Sequence, residues 1–365
     1  MKRLARIARW TAGALALAVL AFFTLVPTGR YLVRAAWAEG RILARARSID
    51  ALVRDSTTSP ATRQKLELVL AARAFAADSV GLAAKRSFTT YSHLEHDTLV
   101  VVLSAAYRDE LRYKTWWFPI VGDVPYKGYF DVRDAKRAAA GLERDGFDSY
   151  LRPSSAFSTL GYLNDPLLST TLGEDSVSLV NTVIHELTHN TFYAPGQAVF
   201  NESFANFVGT RGAEWFFMTH GDSALVAEAR EDWARQKMLG RFWSGVYQSV
   251  DSAFKAHPDS RDERLRAREI VFTAARERFA RDVEPSLPGY DPRRPVALHL
   301  DNAALMSRRI YRTGLDDFDA VFEQTGERLP LAVQRVIALA KSRPDDPYAA
   351  VRAYLSSGSA EAAAQ

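Results

Sequence analysis

The residues best placed to do chemistry are two histidines four apart with a glutamate between them, His185-Glu186-Leu187-Thr188-His189. On a helix this spacing stacks both imidazoles on one face, where both reach one metal ion. Glu186 is placed to take a proton from a water held at that ion. Glu202, in Asn201-Glu202-Ser203-Phe204-Ala205, supplies a carboxylate from what reads as the next helix. Two imidazoles, a carboxylate and one open position are the ligand set of a catalytic zinc site. The set predicts Zn2+ as cofactor, His185, His189 and Glu202 as its ligands, and a hydrolase, foremost a peptidase.

The neighbouring residues favour this over a plain surface helix with two solvated histidines. Leu179, Val180, Val183, Ile184 and Leu187 form an apolar helical stripe, with His185 and His189 on roughly the opposite side. One face can therefore enter a core while the other lines a cleft. Tyr193-Ala194-Pro195-Gly196-Gln197 breaks the helix, and a second is expected from near Phe200 through Phe204, Phe207 and Val208. Running back antiparallel, it would return an early carboxylate to the two histidines. Glu214 and Asp222 are rivals farther along, and for Glu202 the bland alternative is an acid suiting the helix dipole. In the chemistry that follows, Glu186 is the general base and then passes its proton to the leaving amine. The oxyanion needs a further donor outside the motif, for which Tyr311 and His220 are candidates, against a reading of Tyr311 as a buried helix tyrosine.

Beyond the metal motif, several stretches resemble the bacterial family known as predicted or putative aminopeptidases. They are Trp116-Trp117-Phe118-Pro119-Ile120-Val121-Gly122, Tyr126-Lys127-Gly128-Tyr129-Phe130, Ser158-Thr159-Leu160-Gly161, Asp165-Pro166-Leu167-Leu168-Ser169-Thr170 and Phe200-Asn201-Glu202-Ser203-Phe204-Ala205. The resemblance runs from Tyr31 to about residue 340. It implies a gluzincin-type zinc metallopeptidase with the ligands and base already named. The chain departs from that family where Trp117 and Asp123 stand in place of cysteines and Gly209 in place of an acid. No departure touches a ligand, but residues around a metal orient its ligands, so substrate preference and support of the site are affected. Asp123, Asp165, Glu174 and Asp175 are all available to anchor a substrate amine, and none is singled out.

Residues 155–163 read as a strand ending at Asn164-Asp165-Pro166, either an edge that pairs with an extended peptide or an ordinary strand with Gly161 at a bulge. Trp116, Trp117 and Phe118 read as core or lobe interface. The partner is then a peptide or protein substrate. An amidase acting on cell-wall peptides, a zinc endopeptidase, and a non-catalytic binding protein keeping the fold are the other readings. The intact base Glu186 speaks against the last.

Lys2, Arg3, Arg6 and Arg9 precede an apolar run over residues 10–26 that Pro27 closes. Such a run is near the lower limit of about 17–25 residues for spanning a bilayer. The nearest Ala-x-Ala, at Ala36-Trp37-Ala38, lies well past it, so a retained anchor is expected rather than a cleaved signal. Arginines on both sides blunt the positive-inside rule. The short basic start nevertheless predicts a single-pass protein of the bacterial inner membrane with its catalytic part in the periplasm. The absence of cysteine excludes a cysteine-linked lipid and is compatible with that compartment. With 47 basic against 43 acidic side chains among 365 residues, net +4, there is no polycationic surface and no nucleic-acid partner is expected. Nothing specifies an oligomeric state.

These elements predict an α+β fold with a strand-containing N-terminal lobe, an all-helical C-terminal lobe and the metal between them, preceded by one N-terminal transmembrane helix; the resemblance implies that it is gluzincin-like. The expected divisions are an anchor over 1–30, the catalytic unit over 31–355 and a disordered tail over 356–365.

Overall fold

The computed structural model describes residues 2–94, 100–118, 122–154, 166–293 and 297–363. The chain begins with α1 (Lys2–Leu25), α2 (Pro27–Ala44), β1 (Arg47–Ser48), α3 (Ile49–Arg54) and α4 (Pro60–Phe75). Next come β2 (Thr90–Ser92), β3 (Val100–Tyr107), β4 (Trp116–Phe118), β5 (Gly122–Val124), β6 (Tyr126–Tyr129), α5 (Val132–Arg144), β7 (Phe147–Ser154) and β8 (Leu167–Leu168). From α6 (Ser169–Leu172) onward the described residues form no strand. The helices are α7 (Ser176–Thr191), α8 (Ala198–Thr219), α9 (Ser223–Lys255), α10 (Arg261–Arg278), α11 (Asn302–Arg309), α12 (Leu315–Gln324), α13 (Leu329–Ser342) and α14 (Pro347–Ala363).

The expected α+β class holds, and every described strand precedes α6. The main sheet has the order β6-β3-β7 and is antiparallel throughout. Its central strand β3 is buried from Val100 to Ala106, which is why it reads as a continuous apolar run rather than an alternating one. The division into lobes does not follow chain order, however. Leu66, Val69 and Ala72 of α4 join Val180, Val183, Phe204, Phe318 and Val336 in one core, so an N-terminal helix belongs to the helical body. Conversely α11 docks on the sheet: the Asn302 side chain donates to the carbonyls of Tyr107, Arg108 and Glu110, and its amide donates to Asp148. Trp117 is 62% exposed, against the expectation of a core position, while Phe118 is buried and packs on Tyr31.

Two expectations at the chain ends need correction. Among the described residues no single helix is long and apolar enough to cross a membrane; only Trp10–Leu25 with Thr28–Ala44, bent by 80°, suffice together in length and composition. The reason is Pro27, which starts a new helix and leaves the first apolar stretch about 24 Å long against a hydrocarbon core of about 30 Å. At the other end α14 runs to Ala363 through the stretch expected to be disordered. Alanine and glutamate are strong helix formers, and Gly358 alone does not end the helix.

Candidate active site

Helix α7 starts where Asp175 caps it, accepting from the amide and hydroxyl of Ser178. Its apolar stripe is fully buried, each such side chain contributing about 1.5–3 kcal/mol. The opposite face is not open to solvent either, because α8 lies against it and buries His189. The turn between the two helices is clamped by Asn201, whose side chain accepts from the Ala194 amide at 2.9 Å and donates to the Ala194 carbonyl at 2.8 Å. Gly196 takes a positive φ of 76° in that turn. The fold thereby brings Glu202, in the second turn of α8, back to α7 as the antiparallel reading requires.

The ligand-type atoms converge closely. His185 Nε2 and His189 Nε2 are 3.2 Å apart, and Glu202 Oε2 lies 3.4 Å from the first and 3.6 Å from the second. Metal–ligand arms of about 2.0–2.1 Å in a tetrahedron set ligand atoms about 3.3 Å apart, so this triangle has the size a zinc ion needs. Burial opposes ionisation of Glu202, but the two imidazoles hold its carboxyl far below the usual range. For His189 burial works against the charged ring, and Glu202 outweighs it and raises the imidazole. The carboxylate is therefore anionic, as a ligand must be. Beside the triangle, Glu186 Oε2 is buried without a hydrogen-bond partner, an oxygen left free to accept from water or substrate.

Tyr311 lies in the turn after α11, not within a helix, and its ring is 6.2 Å from that of His185. Burial pushes its hydroxyl well above the usual tyrosine range, with the Glu202 charge adding to the effect. Its position is fixed from α8: Asn206 donates to the Tyr311 carbonyl at 2.8 Å, and Ser203 bridges the Ile310 carbonyl and the Thr313 amide. The other sequence candidates fall away from the centre. His220 caps the far end of α8, about 27 Å along the helix from Glu202, where its Nδ1 donates to the Phe216 carbonyl at 2.7 Å. Glu214 accepts from Arg211 and Arg230, and Asp222 caps α9. The strand expected over 155–163, with Asp165, lies outside the described residues.

The profile of a family described as putative aminopeptidase matches residues 30–350. The chain belongs to that family. No curated protein and no solved structure matches it. Membership in the putative aminopeptidase family supports peptidase activity. Helix packing explains the glycine at position 209. A Cβ at Gly209 would sit 2.2 Å from Asn181 Oδ1 and 2.9 Å from the Asn181 carbonyl oxygen, so α7 and α8 approach too closely for any side chain there.

Sequence reasoning missed the wall of the site opposite α7 and α8. Arg152 of β7 donates from Nη2 to the Tyr311 hydroxyl at 3.0 Å. Tyr126 of β6 is half-buried, and its hydroxyl is pushed up by desolvation and by the charge of Glu202. No local pattern marks either residue, since a strand position reveals a face and not what lies across it. Asn206 and Ser203 did leave a signal: both are polar residues buried in an otherwise apolar stretch of α8.

Proposed function

We propose that this member of the putative aminopeptidase family is a zinc-dependent, gluzincin-type peptidase. The observation that carries the reading is the compact His185–His189–Glu202 triangle with an unpartnered Glu186 oxygen beside it. His185, His189 and Glu202 hold the ion. A zinc ion supplies a Lewis acid and brings the pKa of water close to neutrality when bound. Glu186, with its free oxygen, takes a proton from the attacking water and hands it to the leaving amine. Tyr311 stays protonated because it is buried, and its oxygen already accepts from Arg152. Its own proton is therefore available to the oxygen of the scissile carbonyl as charge develops there.

The N-terminal helix is proposed to hold the enzyme on a membrane, with the catalytic part on the periplasmic side. Trp10, Leu15, Leu17, Leu20 and Leu25 are all exposed along α1, an apolar surface that water disfavours and lipid accommodates.

Metal analysis of the purified chain and its Glu186→Gln variant tests the mechanism. About one zinc per chain is expected in both, with peptide hydrolysis in the parent alone, and His189→Ala should lose the metal. A parent that takes up no zinc on dialysis against it, or a Glu186→Gln variant as fast as the parent, would overturn the proposal.

A further inference from the structure

Arginine side chains with free donors adjoin the metal-type centre. Among the described residues Arg152 makes one hydrogen bond, to Tyr311, and its Nε is buried with no partner. Among the described residues it forms no ion pair; Glu202, whose charge is engaged by two imidazoles, is the carboxylate that acts on it. Arg309, at the end of α11, repeats the pattern. It stacks 3.7 Å over the Tyr247 ring, its Nε is also buried and unpartnered, and it too forms no ion pair among the described residues. Tyr113 joins the two: it shares a packed cluster with Tyr247, the ring beneath Arg309, and with Tyr150 of the strand that carries Arg152, and among the described residues its buried hydroxyl has no partner.

Ordered water can satisfy lone N–H and O–H groups. It does not neutralise charge, and buried charges in proteins are paired or bound to something of opposite sign. Aromatic rings offset part of this cost, as Tyr247 does for Arg309. They leave the N–H groups unfilled. A guanidinium fork with free donors is the group that matches a carboxylate in shape.

We propose that Arg152 and Arg309, with the Tyr113 hydroxyl, form an anion-binding subsite beside the His185–His189–Glu202 centre that takes a substrate carboxylate. This deepens the peptidase reading and rests on it: the substrates are peptides carrying a carboxylate near the scissile bond, at a free C-terminus or on an acidic side chain. The subsite makes a short peptide a better substrate than the same peptide with its end amidated.

Calorimetric titration of the full zinc-loaded chain carrying Glu186→Gln, which holds peptides uncleaved, tests this without turnover. The ligands are trialanine, trialanine amide and a tripeptide amide ending in glutamate. Trialanine should bind tighter than its amide by about 10- to 100-fold, the range of a charge-assisted hydrogen bond. Adding Arg309→Gln, which does not touch Tyr311, should erase that difference. Tight binding of the glutamate amide assigns the subsite to acidic side chains; weak binding assigns it to the C-terminus. Equal affinity for all three ligands, or a preference that survives Arg309→Gln, overturns the proposal. A parent that cleaves acid and amide equally keeps the peptidase reading and loses the subsite. A chain that cleaves neither but shows the arginine-dependent preference loses the first and keeps the second.

Discussion

Replacing Gly209 by alanine should weaken zinc binding without touching a ligand. The new methyl would stand 2.2 Å from Asn181 Oδ1, 2.9 Å from the Asn181 carbonyl oxygen and 3.2 Å from His185 Cβ. The Asn181 amide can swing away, but the carbonyl is fixed in the α7 backbone. Restoring an ordinary contact near 3.5 Å to that oxygen parts α7 from α8 by about 0.6 Å. His185 and His189 ride on one helix and Glu202 on the other, and zinc sites tolerate only about 0.2 Å in ligand distance. Overpacking of this kind costs about 1–3 kcal/mol. With an unfolding entropy of about 2.1 cal/mol/K per residue, that lowers Tm by about 1–4 °C in a 365-residue chain. Zinc affinity should fall by about 10- to 100-fold, as for other losses of support around a metal. A competition titration against a chromophoric chelator, with calorimetry for Tm, measures both. Gly245→Ala is the control, since a Cβ there meets nothing within 4 Å. Adding Asn181→Ala to Gly209→Ala should recover part of the loss, because the carbonyl contact remains. A Gly209→Ala chain with parental zinc affinity and Tm would refute the reasoning.

Tyr311→Phe should lower kcat by about 10²–10³ with KM little changed, checked by steady-state kinetics on a peptide; a change in KM alone would deny the hydroxyl its part in the transition state. Asp319 is buried among Arg211, Lys237 and Trp233 and ties α8 and α9 to α12, so Asp319→Ala should cost about 1–3 kcal/mol in a denaturant titration, by removing these charge-assisted hydrogen bonds and leaving Arg211 with Glu214 alone. An unchanged midpoint would show that the cluster is not held as described. Burial pushes the Tyr113 and Tyr348 hydroxyls far above the usual tyrosine range. Their folded pKa values are raised, so their contribution is intact below the unfolded value of about 10 and is lost as pH rises past it. Stability should fall by about 3 kcal/mol per pH unit above 10 for the pair together, followed by circular dichroism against phenolate absorbance. Ionisation of all 14 tyrosines at pH 10 without loss of structure would contradict their burial.

The metal-type residues were legible because their information is local. His185, Glu186 and His189 share one helical turn, and a Pro-Gly break followed by a second helix is enough to return Glu202 to them. The apolar spacing of α7 likewise announced its buried face. Local patterns served less well where length and bend decided the outcome. The apolar run before Pro27 reads as one span, yet the proline starts a second helix at 80° to the first. The final residues read as a tail because they are small and polar, although their helix propensity carries α14 to Ala363.

The sequence by itself thus determined the candidate set, since residue type and four-residue spacing on a helix suffice to bring metal-ligand-type atoms together. Tertiary structure alone decided what surrounds that set. Arg152 and Tyr126 come from strands, Tyr311 from a turn more than a hundred residues beyond His189, and Arg309 from the helix before it. Nothing in their own neighbourhoods records that they meet. Their meeting depends on β3 aligning β6 and β7, on Asn302 docking α11 to the sheet, and on Ser203 and Asn206 holding the Tyr311 turn. Gly209 shows the same limit in one residue: absence of a side chain has no meaning in sequence until a second helix is found 2.9 Å from where its Cβ would be.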